Sequence, residues 1–164
     1  MTDVARAILW GGSLCGVLDA VAATTAFRLQ GVPGMRVWQT VASGLLGESA
    51  FRQGAKSAAF GLLLHFFIAF TAAGAFCLAA LHAAVLLQYP IASGALYGIA
   101  VFLVMNLIVR PLSRQPKRPA TRTGVLIQLI IHMVIVGQSI SLSAAHFLNS
   151  PGFDVKARGE VRGT

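Results

Sequence analysis

Three ionisable side chains stand deep inside long apolar runs, away from their ends: Asp19, His65 and His132. A carboxylate and two imidazoles are the residue types that relay protons, share hydrogen bonds or ligate a cation. Each sits at a similar distance from the nearest basic segment. Asp19 lies eight residues before the end of a run over residues 4–27, His65 seven residues into one over 58–87, and His132 eight residues into one over 124–147. At helical rise these are depths of about 10–12 Å. Asn106, Gln128 and Arg110 fall nearer the same surface. An ionised carboxylate inside a bilayer costs roughly 2.5–3.5 kcal/mol on the insertion scale, so Asp19 is expected to face other helices.

Spacing supports that expectation. Gly12, Gly16, Asp19 and Ala23 share one face of a helix, as do Gln128, His132, Ser139, Ser143 and His146. Three chemistries fit the trio. One is an interhelical hydrogen-bond cluster that fixes helix register, each bond worth about 0.6–2 kcal/mol. A second is a proton or ion pathway, and a third is an Asp-His-His metal site. The first is the leading expectation, with no metal or cofactor assigned. Catalytic signatures are missing from the sequence: it has no Gly-x-Ser-x-Gly, His-Glu-x-x-His, phosphate loop or Cys-x-x-Cys. The chain is therefore not expected to be an enzyme.

The elements that must hold these residues are set by hydropathy. Among 164 residues, 56% are hydrophobic and 11% charged, too few charges to coat a water-soluble domain, where about 25% is usual. A helix over 58–87 would be about 45 Å long, more than the ~30 Å bilayer core. The expected fold is an all-α membrane domain over residues 1–148. Its four transmembrane helices span 4–27, 58–87, 91–109 and 124–147, and a polar disordered tail covers 149–164. Asp19 and an acid-balanced start argue that the first run is a retained span rather than a cleaved leader. Gln88-Tyr89-Pro90 reads as a very short turn, giving a tight antiparallel hairpin of the second and third spans. Arg110-Pro111 is expected to stop the third span sharply.

Between the first two spans, residues 35–53 fit an amphipathic helix in the membrane interface. Val37, Trp38, Val41, Ala42, Leu45 and Leu46 lie on one side, and Arg36, Gln39, Thr40, Ser43 and Gly47 on the other. Trp38 is expected at headgroup level, with re-entry or packing on the bundle as alternatives. The basic loop residues Arg110, Arg114, Lys117, Arg118 and Arg122 are expected to touch anionic lipid headgroups. Thirteen Lys and Arg against five Asp and Glu give a net charge of +8. The basic residues cluster between apolar runs without interleaved aromatics, so nucleic acid is not the expected partner. Nine basic residues in the loops after spans one and three, against four elsewhere, place those loops in the cytoplasm and both termini outside. Cys15 and Cys77 are read as packing residues.

An offset of 82 residues aligns Gly12-x-Leu14-x-Gly16-Val17 with Gly94-x-Leu96-x-Gly98-Ile99, and Arg28 with Arg110. This pattern suggests a pseudo-twofold parallel repeat of two hairpins. Three further stretches stand out: Val37-Trp38-Gln39-x-Val41-Ala42-Ser43-Gly44-Leu45-Leu46-Gly47, Gly61-Leu62-Leu63-Leu64-His65-Phe66-x-Ile68-Ala69-Phe70, and Gly94-x-x-Tyr97-Gly98 with Met105-Asn106 and Pro111-Leu112-Ser113. Over residues 8–140 the chain resembles a set of small bacterial inner-membrane proteins distantly similar to the YagU-like family. That resemblance implies a multi-pass topology and carries no catalytic residues. The functional expectation is an integral inner-membrane protein of structural or accessory type, self-associating or part of a larger complex. The alternative is a small proton- or ion-coupled transporter or channel built on the Asp/His cluster.

Overall fold

A computed structural model describes residues 1–117 and 121–149, and the expected disordered tail lies almost wholly outside them. Among the described residues the chain is helical and without strands. The α-helices are α1 (Asp3–Leu29), α2 (Gly34–Leu46), α3 (Ala55–His82), the single turn α4 (Val85–Gln88), α5 (Pro90–Leu112) and α6 (Arg122–Leu148); a 3-10 helix over Gly47–Arg52 follows α2, so the helix expected over 35–53 is broken at Gly47. Four of these, α1, α3, α5 and α6, are long and apolar enough to cross a bilayer. Their outward faces carry Val21, Leu63, Phe67, Leu96, Leu107 and Val134, all well exposed. Such a surface is stable only against hydrocarbon, which makes the chain an integral membrane protein.

Local chemistry sets the ends of α1. The Thr2 hydroxyl accepts from the Ala5 amide at 3.3 Å, capping the N-terminus. At the other end Gly31 takes φ +82°. Its amide reaches Arg28 O at 2.9 Å and the Val32 amide reaches Phe27 O at 3.0 Å, a Schellman stop that satisfies two orphan carbonyls.

The long helices form an open arc in the order α3, α1, α6, α5, with α1 between α3 and α6, and α6 between α1 and α5. Gly12 and Gly16 receive the Phe70 and Phe66 rings of α3, while Gly94 and Gly98 lie against main chain of α6 at Gly137 and His132. The matched glycines thus hold rings in one half and backbone in the other, and the proposed internal repeat is not evident in their packing. The tight hairpin expected of the second and third spans does not form. α3 ends at His82, five residues early, and residues 83–89 make a longer connection containing α4. α3 and α5 hardly touch along their length. Tyr97 bridges them instead, its hydroxyl donating to Ala72 O at 2.7 Å and its ring lying edge-on to Phe76 at 5.0 Å.

α5 also continues through Arg110-Pro111 to Leu112. Proline lacks an N–H and its ring collides with the carbonyl four residues back in a regular helix. Here a π-helical turn over Met105–Val109 precedes it, and the Arg110 amide bonds Met105 O. The wider turn gives the ring its space.

The core is divided unequally. Ala7, Ala73, Phe76, Cys77, Ala80, Leu87, Ile140, Ala144 and Leu148 pack into a dry cluster at the end that holds residues 83–91. The opposite end, where α1 runs out and α3 begins, carries most of the basic residues. This basic end is hollow.

Candidate functional site

The hollow is a cavity of about 460 Å³ bounded by all four long helices and by α2. Asp19, His65, His132, Asn106, Gln128 and Arg110 all line it. The sequence-derived polar cluster therefore converges on one space. Asp19 is ten residues before the end of α1, His65 ten after the start of α3, and His132 ten after the start of α6. Each is about 15 Å from its helix terminus. Asn106 is six residues before Leu112 and Gln128 six after Arg122, so the two amides form a second layer at about 9 Å. Arg36 and Arg110 sit nearer the basic end.

Two main-chain bonds fix the imidazoles. His65 Nε2 lies 2.9 Å from Gly16 O and His132 Nδ1 lies 2.8 Å from Gln128 O. A carbonyl only accepts, so both nitrogens carry the proton. In the neutral rings, the lone pairs are then left on His65 Nδ1 and His132 Nε2. His65 Nδ1 stands 3.8 Å from Asp19 Oδ2, too far for a hydrogen bond yet close enough for strong coupling of charge. Asp19 Oδ1 is, among the described residues, a buried side-chain oxygen with no hydrogen-bond partner. Trp38 of α2 and Phe66 pack edge-on to His65 at 5.3 and 5.6 Å, and Phe102 does the same to His132 at 5.6 Å.

The His65–Gly16 bond joins α3 to α1 and so holds helix register, while of the Asp19 carboxylate one oxygen has no partner among the described residues and the other stands 3.8 Å from His65 Nδ1. Asp19, His65 and His132 are not close enough to form a three-ligand metal centre among the described residues. With neutral imidazoles the deep layer offers only acceptors, and one added proton turns the Asp19–His65 pair into either a carboxylic acid beside a base or an ion pair.

α2 closes the basic end. The Trp38 carbonyl and Ala42 amide press on Gly61 of α3, where any side chain would collide with main chain. Gln39 donates to Gly54 O at 3.1 Å, Ser57 donates to Ala50 O at 2.6 Å, and the Arg114 amide donates to Gly44 O at 2.9 Å. The expected polar face of α2 is accordingly not its outer face: Gln39 and Ser43 are buried and Leu45 is exposed. Trp38 faces the cavity and His65, at a depth well inside α3. Arg36 lies over the Phe51 ring at 4.3 Å and lines the same space.

The other lipid-contact candidates are scattered. Lys117 Nζ caps the end of α5 by donating to Arg110 O and Pro111 O at 2.7 and 2.8 Å. Arg114 and Arg122 are exposed, Arg110 is among the residues lining the cavity, and Arg118 lies outside the described residues.

Among the cavity residues not singled out for this role from sequence are Arg36, Cys15 and Val101. The signal for Arg36 was its place one turn before Thr40 on the polar side of α2. Cys15 and Val101 look like any lipid-facing residue. The two π-helical turns, Met105–Val109 and His132–Val136, both begin at cavity-lining residues, a common location for such bulges.

Comparison of the chain with protein-family models, with characterised proteins and with solved structures finds no match in any of the three. None of them bears on the YagU-like resemblance.

Proposed function

We propose that this chain is a small proton-linked membrane transport protein whose cavity is its solute site. The observation that carries the reading is the orphaned Asp19 carboxyl oxygen at the closed end of a cavity lined by two imidazoles with uncommitted lone pairs. Leaving such a group unsatisfied in a bilayer costs free energy, and intramembrane acids of this kind mark proton and substrate paths. The cavity volume falls within the range of small-molecule sites, ~300–1,000 Å³. The apolar cluster that starts at the cavity wall with Cys15, Ala69 and Val136 fills the other half of the bundle, which supports a carrier with one-sided access rather than a continuous pore.

In this reading a proton on the Asp19–His65 pair and a solute compete for the same end of the cavity. The cytoplasm is the side assigned to the basic end, a bacterial inner membrane the setting, and anionic lipid the surroundings of Arg114 and Arg122. Proteoliposomes loaded with a fluorescent pH indicator test the reading against gradients of amines, carboxylates, amino acids and sugars. The expected result is a solute-driven internal pH change in the wild type that Asp19→Asn abolishes. Silence toward every class, with the protein instead isolated in a stoichiometric partner complex, overturns it in favour of the accessory role.

A further inference from the structure

The deep layer of the cavity is short of hydrogen-bond donors. Of the Asp19 carboxylate, Oδ1 has no partner among the described residues and Oδ2 stands 3.8 Å from His65 Nδ1. Gly16 O and Gln128 O hold the imidazole N–H groups of His65 and His132 at 2.9 and 2.8 Å. In the neutral rings this leaves lone pairs on His65 Nδ1 and His132 Nε2. The other titratable or charged residues bordering the cavity are Cys15 of α1, Arg36 of α2 and Arg110 of α5. The Arg36 guanidinium lies over the Phe51 ring at 4.3 Å, and Arg110 has interactions of its own within the protein. Arg110 is two residues from the end of α5, about 12 Å shallower than Asp19 by helical rise.

A donor that brings one positive charge suits this layer. Where the Asp19–His65 pair holds a proton, an ammonium group can take that proton's place, with Asp19 ionised and His65 neutral, and the net charge of the site stays the same. A carboxylate would instead add negative charge beside Asp19 in a low-dielectric space. A hard metal cation takes about six or more oxygen ligands, whereas Asp19 is the carboxylate of this layer and the other two groups are ring nitrogens. The remaining wall is largely apolar, with Phe27, Trp38, Ile68, Val101 and Val136 among its residues. Its volume of about 460 Å³ is many times the ~30 Å³ share of a water-sized group, so a ligand that fills it carries a hydrocarbon body as well as a charge.

We infer that the cavity binds a lipophilic monoamine in its protonated form, one ammonium group on an apolar body and no carboxylate. The ammonium donates to Asp19 and to the free nitrogens of His65 and His132, and the apolar body packs on the wall toward Trp38 and Val101. The inference rests on the proposed transport reading, for which it names the solute. On binding, the proton of the Asp19–His65 pair leaves to bulk water. That O–H or N–H bond is the one that breaks, and the bonds of the amine stay as they are.

The test uses the purified full chain in detergent and three probes on one phenethyl body, phenethylamine, phenethyl alcohol and hydrocinnamate, with methylamine as the charge without the body. Calorimetric titration near neutral pH is expected to give phenethylamine binding roughly tenfold or more tighter than each of the others. As pH is lowered the amine stays charged while protons compete for Asp19, so its affinity should fall. Asp19→Asn should bind the amine no better than the alcohol, and Asp19→Glu should recover part of the preference. Equal or tighter binding of the alcohol, of hydrocinnamate or of methylamine overturns the inference. So does wild-type affinity for the amine that ignores pH, a folded Asp19→Asn that keeps the preference, or a folded wild type that binds no amine. In the proteoliposome assay, an Asp19-dependent pH response to a different solute class overturns this inference alone and leaves the transport reading standing. Amine binding with no pH response to any solute overturns the transport reading while the amine site stands.

Discussion

Alanine at Gly98 and alanine at Gly74 should have opposite effects on stability. Both glycines are helical and both lie within long spans. At Gly98 a Cβ would fall on the His132 carbonyl and 2.7 Å from Met133 Cα. These are main-chain atoms of α6 that no rotamer change can move aside. Ordinary contact is about 3.5–4 Å, so α5 and α6 must part by roughly 1 Å. A gap of that size forfeits a quarter to a half of each dispersion contact along the seam, and overpacking of this kind costs about 1–3 kcal/mol. We expect Gly98→Ala near the upper end, since Gly94, Gly98 and Gly137 share one backbone-to-backbone seam. At Gly74 a Cβ meets nothing within 4 Å. Alanine there only removes backbone freedom, a gain of about 0.5–1 kcal/mol. The two variants should therefore differ by roughly 3–4 kcal/mol. Unfolding in mixed micelles by added dodecyl sulfate, followed by far-ultraviolet circular dichroism, reads the difference. Equal stabilities, or a Gly98→Ala protein as stable as wild type, would refute the packing of α5 on α6 that sets the position of His132.

Other substitutions probe the remaining parts of the site. Tyr97→Phe removes the bond to Ala72 O and should cost about 1 kcal/mol by the same unfolding assay. Gln39→Leu deletes the bond to Gly54 O without shrinking the side chain much; hydrogen exchange of residues 34–46 should rise while that of α6 stays constant. In a chain with Cys15 and Cys77 replaced by Ser, cysteine at Ala23 or Val101, on the cavity wall, should react with a small water-soluble thiol reagent applied at the basic end. Cysteine at Ala80, fully buried in the dry cluster, should stay unmodified. Protection of Ala80 lost, or labelling of the wall absent, would contradict one-sided access.

Hydropathy carried most of the fold. Four apolar runs with basic segments between them leave only helices crossing a bilayer, because lipid supplies no partners for unpaired backbone groups. The shared depth of Asp19, His65 and His132 followed from counting residues, since rise per residue is nearly constant. Less was visible where side-chain pattern and backbone disagree. The end of α3 at His82 has no breaker in sequence: Ala83 and Ala84 are strong helix formers. Helix beyond Arg110 depends on the π-helical turn before it, which nothing in Met105-Asn106-Leu107-Ile108-Val109 announces. The inward turn of Gln39 and Ser43 is the most instructive miss. Polar residues on a helix beside a membrane look solvent-facing until the carbonyls that they or their neighbours must satisfy are known. In this chain those belong to Gly54, just beyond the expected helix, and to Thr40 within it. The cavity itself was invisible, because its apolar wall has the same composition as the lipid-facing surface.

Proton-linked transport requires Asp19 to exchange a proton with water through the cavity. Infrared difference spectroscopy of the reconstituted protein, with aspartate isotopically labelled, follows the protonated-carboxyl stretch as bulk pH is changed. The expected result is a band that appears and disappears reversibly with pH, is absent from Asp19→Asn, and shifts when His65 is replaced by Gln. A labelled band assigned to Asp19 that ignores bulk pH across the range where the protein stays folded would contradict it, and would make the Asp19–His65 pair a structural lock.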